Sequence, residues 1–154
     1  FSAIDNINIG IGKRINTEKR VEINSFWAWH IKNDKEEAYR ESRRELAWRG
    51  RKLELELLEN YFKPEECQII RENFESFVDA YFDRSGNIKN IPIDLANHLC
   101  EVFTSTGGIG NIDKEIERFK AFEAAGQTQL SLRLHDDPMQ ALDLIGQKVI
   151  PHFK

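Results

Sequence analysis

The sequence predicts an α/β chain in which strands and helices alternate around a parallel sheet, and three observations predict it. Residues 130–135 read Leu130-Ser131-Leu132-Arg133-Leu134-His135, apolar at every second position, the pattern of a strand with one apolar face. Residues 21–31 are β-branched and aromatic (Val21, Ile23, Phe26, Trp27, Trp29, Ile31) with little charge, as in a strand covered on both faces. Each run is followed at once by a helix start, Asn33-Asp34 in one case and Asp136-Asp137-Pro138 in the other. Such alternation argues for βαβ units.

The opening segment, residues 1–20, carries turn signals (Asp5-Asn6, Gly10, Gly12, Asn16-Thr17) and a brief alternation at Ile7, Ile9 and Ile11 that predicts a short strand. After the strand at 21–31, Glu36 stands three residues beyond Asn33 in capping-box spacing and acids crowd the first turn, where they favour the helix dipole. The helix so opened is predicted to run to about Phe62, with Leu46, Leu53 and Leu57 on one face and Gly50 bending or interrupting it. Its dense Glu/Arg run reads as a solvated face. Pro64 opens the strongest amphipathic helix, with Ile70, Phe74, Phe77, Val78 and Tyr81 at helical spacing, closed by a loop at 83–87. Pro92 starts another, with Leu95, Leu99, Val102 and Phe103 apolar. A short strand or loop near 103–106 and a Gly107-Gly108-Ile109-Gly110 turn precede a helix over about 112–125, whose Ile116, Phe119 and Phe122 face inward and which Gly126 ends. The last helix runs from Pro138 to Pro151.

The chain has 154 residues, 40% of them hydrophobic, enough for one core, and no run approaches the roughly 18 apolar residues of a membrane span. With 22 Lys+Arg against 26 Asp+Glu the net charge is -4, so no basic field attracts nucleic acid. Cys67 and Cys100 lack metal-type spacing and read as reduced thiols of a cytoplasmic protein; no metal and no signal peptide are expected. The chain opens on Phe1 rather than Met, which suggests a processed or partial product.

Three segments together resemble the C-terminal half of the luciferase-like flavin-dependent monooxygenases and their deazaflavin-dependent reductase relatives. They are Thr104 to Gly126, with its strand, Gly-containing turn, acidic helix start and Ala-Ala-Gly ending; Leu132-Arg133-Leu134-His135 with Asp137-Pro138 and Val149-Ile150-Pro151; and the strand at 21–31 followed by Asp34-Lys35-Glu36-Glu37-Ala38. The match spans roughly residues 21–154. In place of that family's usual Gly-Thr-Pro-Glu-Glu turn stands Gly107-Gly108-Ile109-Gly110-Asn111-Ile112-Asp113. The resemblance implies one partial domain over 1–154, a helix-rich C-terminal portion of a (β/α)₈ barrel with a helical insertion. It also implies an oxidoreductase using FMN or a deazaflavin on a small-molecule substrate, a missing N-terminal half or homo-oligomer as partner, and no turnover by this chain alone. A non-catalytic interaction or subunit module is the alternative.

Candidate site residues lie at the carboxyl ends of the two strands, where α/β barrels place their chemistry. Trp27, Trp29, His30 and Lys32 suit a pocket wall, aromatic rings against a flavin or substrate and His30 or Lys32 on an anionic group, or else both Trp residues fill the layer between strand and helix. Trp27 and Trp29 share one face and His30 takes the other. Arg133 and His135 share the polar face of the last strand, where a guanidinium can hold a phosphate or carboxylate or pair with an internal carboxylate. Gly107, Gly108 and Gly110 precede a helix as a phosphate loop would, without the full glycine pattern or a P-loop lysine. Asp136 and Asp137 read as helix caps.

Overall fold

The computed structural model describes residues 2–47 and 55–153, so Gly50 and Leu53 lie outside the described residues. Helix α1 (Ser2–Gly12) leads into strand β1 (Asn24–Lys32), followed by α2 (Lys35–Glu45), α3 (Leu55–Leu58), α4 (Pro64–Glu72), α5 (Phe74–Phe82) and α6 (Ile93–Phe103). Strand β2 (Ser105–Gly108), a 3₁₀ turn (Ile109–Asn111), α7 (Ile112–Ala124), β3 (Gln129–Arg133) and α8 (Pro138–Leu144) follow, and a π-helical stretch (Ile145–Val149) and a 3₁₀ turn (Ile150–His152) close the order.

The sheet has three strands in the order β2-β1-β3, all parallel. Its two outer strands pair with different halves of β1: β3 runs from Asn24↔Gln129 to Ala28↔Arg133, and β2 from Trp29↔Ser105 to Lys32↔Gly108. Strand alternation sends Trp29 and Ile31 to one face, where they pack with Ile112, Ile116 and Phe119 of α7, Ala141 of α8 and Val149. Leu130, Leu132 and Leu134 join that core half-buried. The other face of β1 meets α2, and behind α2 lies a second core that includes Tyr39, Leu46, Phe62, Ile70, Phe77, Leu95 and Leu99.

An open sheet covered on both faces is not part of a (β/α)₈ barrel, and that expectation is corrected. A barrel needs a closed sheet whose inner face is filled by strand side chains. Here α2 occupies the face that would look into the lumen, so the packing is layered. The chain is nonetheless mixed α and β.

Four smaller differences have local causes. Residues 2–12 are helical rather than a turn and strand; Ile4 and Ile11 fall on one helical face, and Ile4 is buried while Ile7 and Ile9 stay exposed. The helix from Pro64 breaks at Asn73, whose side-chain amide donates to the Ile69 carbonyl at 2.9 Å and shares that acceptor with the Asn73 backbone N–H at 3.3 Å. In α3 Leu58 is buried and Leu57 is exposed. The charge run of α2 is not a solvated face: Glu41, Arg43, Arg44 and Glu45 are buried, because α2 lies between the sheet and the helical core.

Gly86 sits at φ +69, and an added Cβ would collide with the Arg40 carbonyl oxygen. The same glycine's own carbonyl accepts from Arg43 Nε at 2.8 Å, tying the 83–87 loop to α2. Gly86→Ala is expected to destabilise by about 1–3 kcal/mol, through the left-handed backbone and the clash together. A chemical melt showing no loss would mean that the loop has another conformation of similar energy.

Candidate functional site

The site is built from the α2 face of the sheet. Asp34 caps α2, its Oδ1 accepting from the backbone N–H of Glu36 at 2.9 Å and of Glu37 at 3.2 Å. With the helix start so pinned, Ala38, Glu41, Ser42 and Glu45 share the side turned to the sheet. Across from them β1 presents His30 and Lys32, and β3 with its continuation presents Arg133 and His135.

Glu41 is the hub. Its Oε1 accepts from His30 Nδ1 at 2.7 Å, and its Oε2 takes Lys32 Nζ at 2.5 Å and the Asp136 backbone N–H at 3.1 Å. The His135 ring stacks on His30 with centroids 4.5 Å apart and planes at 22°. Glu45 carries a second set of partners, His135 Nδ1 at 3.7 Å and Arg133 Nη2 at 3.4 Å. Arg44 closes the cluster on the carboxylate of Asp136 at 2.5 Å, and Arg84 reaches the same carboxylate at 3.4 Å. Beside these lies a cavity of about 10 Å³, also bordered by Asp137 and Gln140. That is room for one water.

Burial works to raise the Glu41 carboxyl, but hydrogen bonds and charge from His30 and Lys32 outweigh it and hold it down at about 2. His135 is pushed down to about 4, first by burial and then by the positive fields of His30 and Arg133, with Glu41 and Asp136 opposing. At neutral pH this leaves an ionised carboxylate and a neutral imidazole in one enclosed cluster.

The His135 shift predicts a pH dependence whose sign follows from proton uptake. With a folded value of about 4 below the ordinary 6.5, the unfolded chain binds a proton that the folded chain refuses. Stability from this group is therefore full above the ordinary value and is lost as pH falls through the interval down to about 4. Glu41 adds a loss at lower pH, between its ordinary 4.5 and about 2. Thermal melts across the acid range are expected to fall in these two stages, and His135→Gln to flatten the upper one. An unchanged upper slope in that variant would assign it elsewhere.

Of the residues the sequence singles out, His30, Lys32, Arg133 and His135 come together here. Trp27 and Trp29 lie on the opposite face. Trp29 is buried with its ring 6.4 Å from that of Phe119, and Trp27 donates its indole N–H to Ser105 Oγ at 2.9 Å. Gly107 and Gly108 belong to β2, paired with Ile31 and Lys32, and Gly110 is exposed in the 3₁₀ turn, with Asp113 and Glu115 in the first turn of the helix beyond. Asp137 caps α8 by accepting from the Gln140 N–H at 3.3 Å, while Asp136 is instead the acceptor for Arg44 and Arg84. Glu41, Glu45 and Arg44 are members that sequence reasoning missed. One signal for them existed: Ala38, Glu41, Ser42 and Glu45 line up at helical spacing immediately after a covered strand.

Among the described residues no group of histidine, cysteine and carboxylate side chains is arranged to hold a metal ion, and no helix is long and apolar enough to cross a membrane. No protein-family model and no curated protein matches this sequence.

Proposed function

We propose that the carboxyl edge of β1 and β3 is one wall of a small-molecule site in a flavin- or deazaflavin-dependent oxidoreductase, completed by a second polypeptide surface. The observation that carries this reading is the convergence of His30, Lys32 and His135 on Glu41 at that edge. The chain leaves β1 for β2 on one side and returns to β3 on the other, so the edge between β1 and β3 is the point of open parallel sheets where ligands bind. The redox chemistry rests on the resemblance of residues 21–154 to the luciferase-like enzymes.

These residues fit one margin of such a cofactor, not its ring. Arg133, 44% exposed, and Lys32 at 13% offer cations at the rim to a phosphate or carboxylate, whereas the enclosed space admits one water. When bound, the cofactor supplies hydride or electron transfer. The chain's own contribution is to hold an anion at Arg133 and Lys32 and to keep bulk water from the Glu41 cluster.

Protein purified with its associated chains is expected to take up FMN or a deazaflavin saturably, followed by visible absorbance, and Arg133→Ala to weaken that uptake about tenfold or more. The chain alone is expected to show no turnover. A folded assembly that takes up neither cofactor overturns the redox reading.

A second reading, a non-catalytic subunit module, is favoured by the sheet edges. Among the described residues β2 and β3 each pair on one side only, and an apolar groove of about 490 Å³ lies along Leu130, Leu132 and Leu134. Parallel sheets are normally covered and their edges guarded. Both readings predict association that buries about 1,200 Å² or more. Light scattering at micromolar concentration decides this: a long-lived monomer with no copurifying chain removes the second surface from both.

A further inference from the structure

Below the pairing of Ser105 with Trp29, β2 has not yet begun, so among the described residues the edge of β1 opposite β3 has no neighbouring strand at the level of Trp27. The gap is an open pocket of about 500 Å³ walled by Trp27, Tyr61, Phe103 and Phe122, with Glu101, Lys114 and Arg118 among the residues lining it. Its size is that of small-molecule sites. The walls are edge-to-face pairs, Trp27 with Phe122 at 5.2 Å and Tyr61 with Phe103 at 6.2 Å between centroids.

The charges select the ligand's sign. Arg118 is committed: it donates to the Thr104 carbonyl at 2.9 Å, the Glu101 carbonyl at 2.8 Å and Glu115 Oε2 at 3.0 Å, and its guanidinium sits 5.5 Å from the Trp27 ring centroid. A second cation on that ring would be repelled. Lys114 is different, 56% exposed and 3.8 Å from Glu101 Oε2, beyond hydrogen-bond distance. The other Glu101 oxygen accepts from the Tyr39 hydroxyl. Lys114 is thus a cation able to turn toward an incoming anion.

We infer that this pocket binds a planar aromatic carboxylate, the ring against Trp27 and Phe122 and the carboxylate on Lys114. The inference is independent of the carboxyl-edge site, which lies across the sheet. The probe is 2-naphthoate, followed by the indole N–H signal of Trp27 in NMR titrations, beside neutral 2-naphthalenemethanol and cationic 2-naphthylmethylamine. Saturable binding is expected in the order carboxylate, alcohol, amine. Lys114→Glu, at an exposed position, is expected to weaken 2-naphthoate about tenfold or more while leaving the alcohol unchanged. Phe122→Ala is expected to weaken both, and Leu142→Ala in the apolar groove neither. Absence of saturable binding, an unmoved Trp27 signal, amine binding equal to carboxylate, or indifference to Lys114→Glu each overturns the inference.

Discussion

Glu41→Ala is expected to destabilise the fold by about 3–5 kcal/mol in equilibrium chemical denaturation. The Glu41 side chain is 1% exposed and neutralises Lys32 while accepting from His30 and the Asp136 N–H. Truncation leaves an ammonium, an imidazole and a backbone donor facing the same small space without the carboxylate, and uncompensated buried charge is what makes breaking such a pair costly. The pair need not be a source of net stability. Glu41→Leu combined with Lys32→Leu, which removes both charges, is expected to recover much of the loss. A single variant within about 1 kcal/mol of the parent would mean that water reaches the cluster freely.

Phe77→Ala is expected to cost a similar amount, about 3–5 kcal/mol, for a different reason. Phe77 is 2% exposed in the core behind α2, with the Phe74 ring 6.3 Å away and Ile70, Leu95 and Leu99 in the same cluster. The loss joins the transfer free energy of the ring to the cavity left behind. Because that core also backs α2, the variant is expected to loosen the Glu41 cluster, read as a shift in the His135 ring signals. A thermal shift near zero would show this helix face to be open to solvent.

How much was legible depended on how local the cause was. The apolar face of α5 and the helix start at Asn33-Asp34 are written within a few residues, and the structure has both, with Asp34 rather than Asn33 as the cap. The same holds for β1, with His30 opposite Trp27 and Trp29. The break at Asn73 is not legible because the side-chain amide and the backbone N–H of one residue share the Ile69 carbonyl, an event too small to disturb hydrophobic periodicity. The barrel expectation failed at another scale. The strand patterns of β1 and β3 are the same in a closed and an open sheet; closure depends on how many strands pair.

By itself the sequence determined the parallel strands, the helices that follow them, and the set of cations and imidazoles at their carboxyl ends, because residue alternation and capping act between near neighbours. Only the tertiary structure decided that the acids and arginines of α2 are interior. Burial of a helix on two sides requires two covering surfaces. For α2 one is the sheet, whose β3 lies about a hundred residues on, and the other is the α4–α6 core. A run of Glu and Arg looks the same whether water or protein surrounds it. The difference is made by the partners brought to it, His30 and Lys32 from the adjoining β1 and the remote His135 and Asp136, that render its charges tolerable inside.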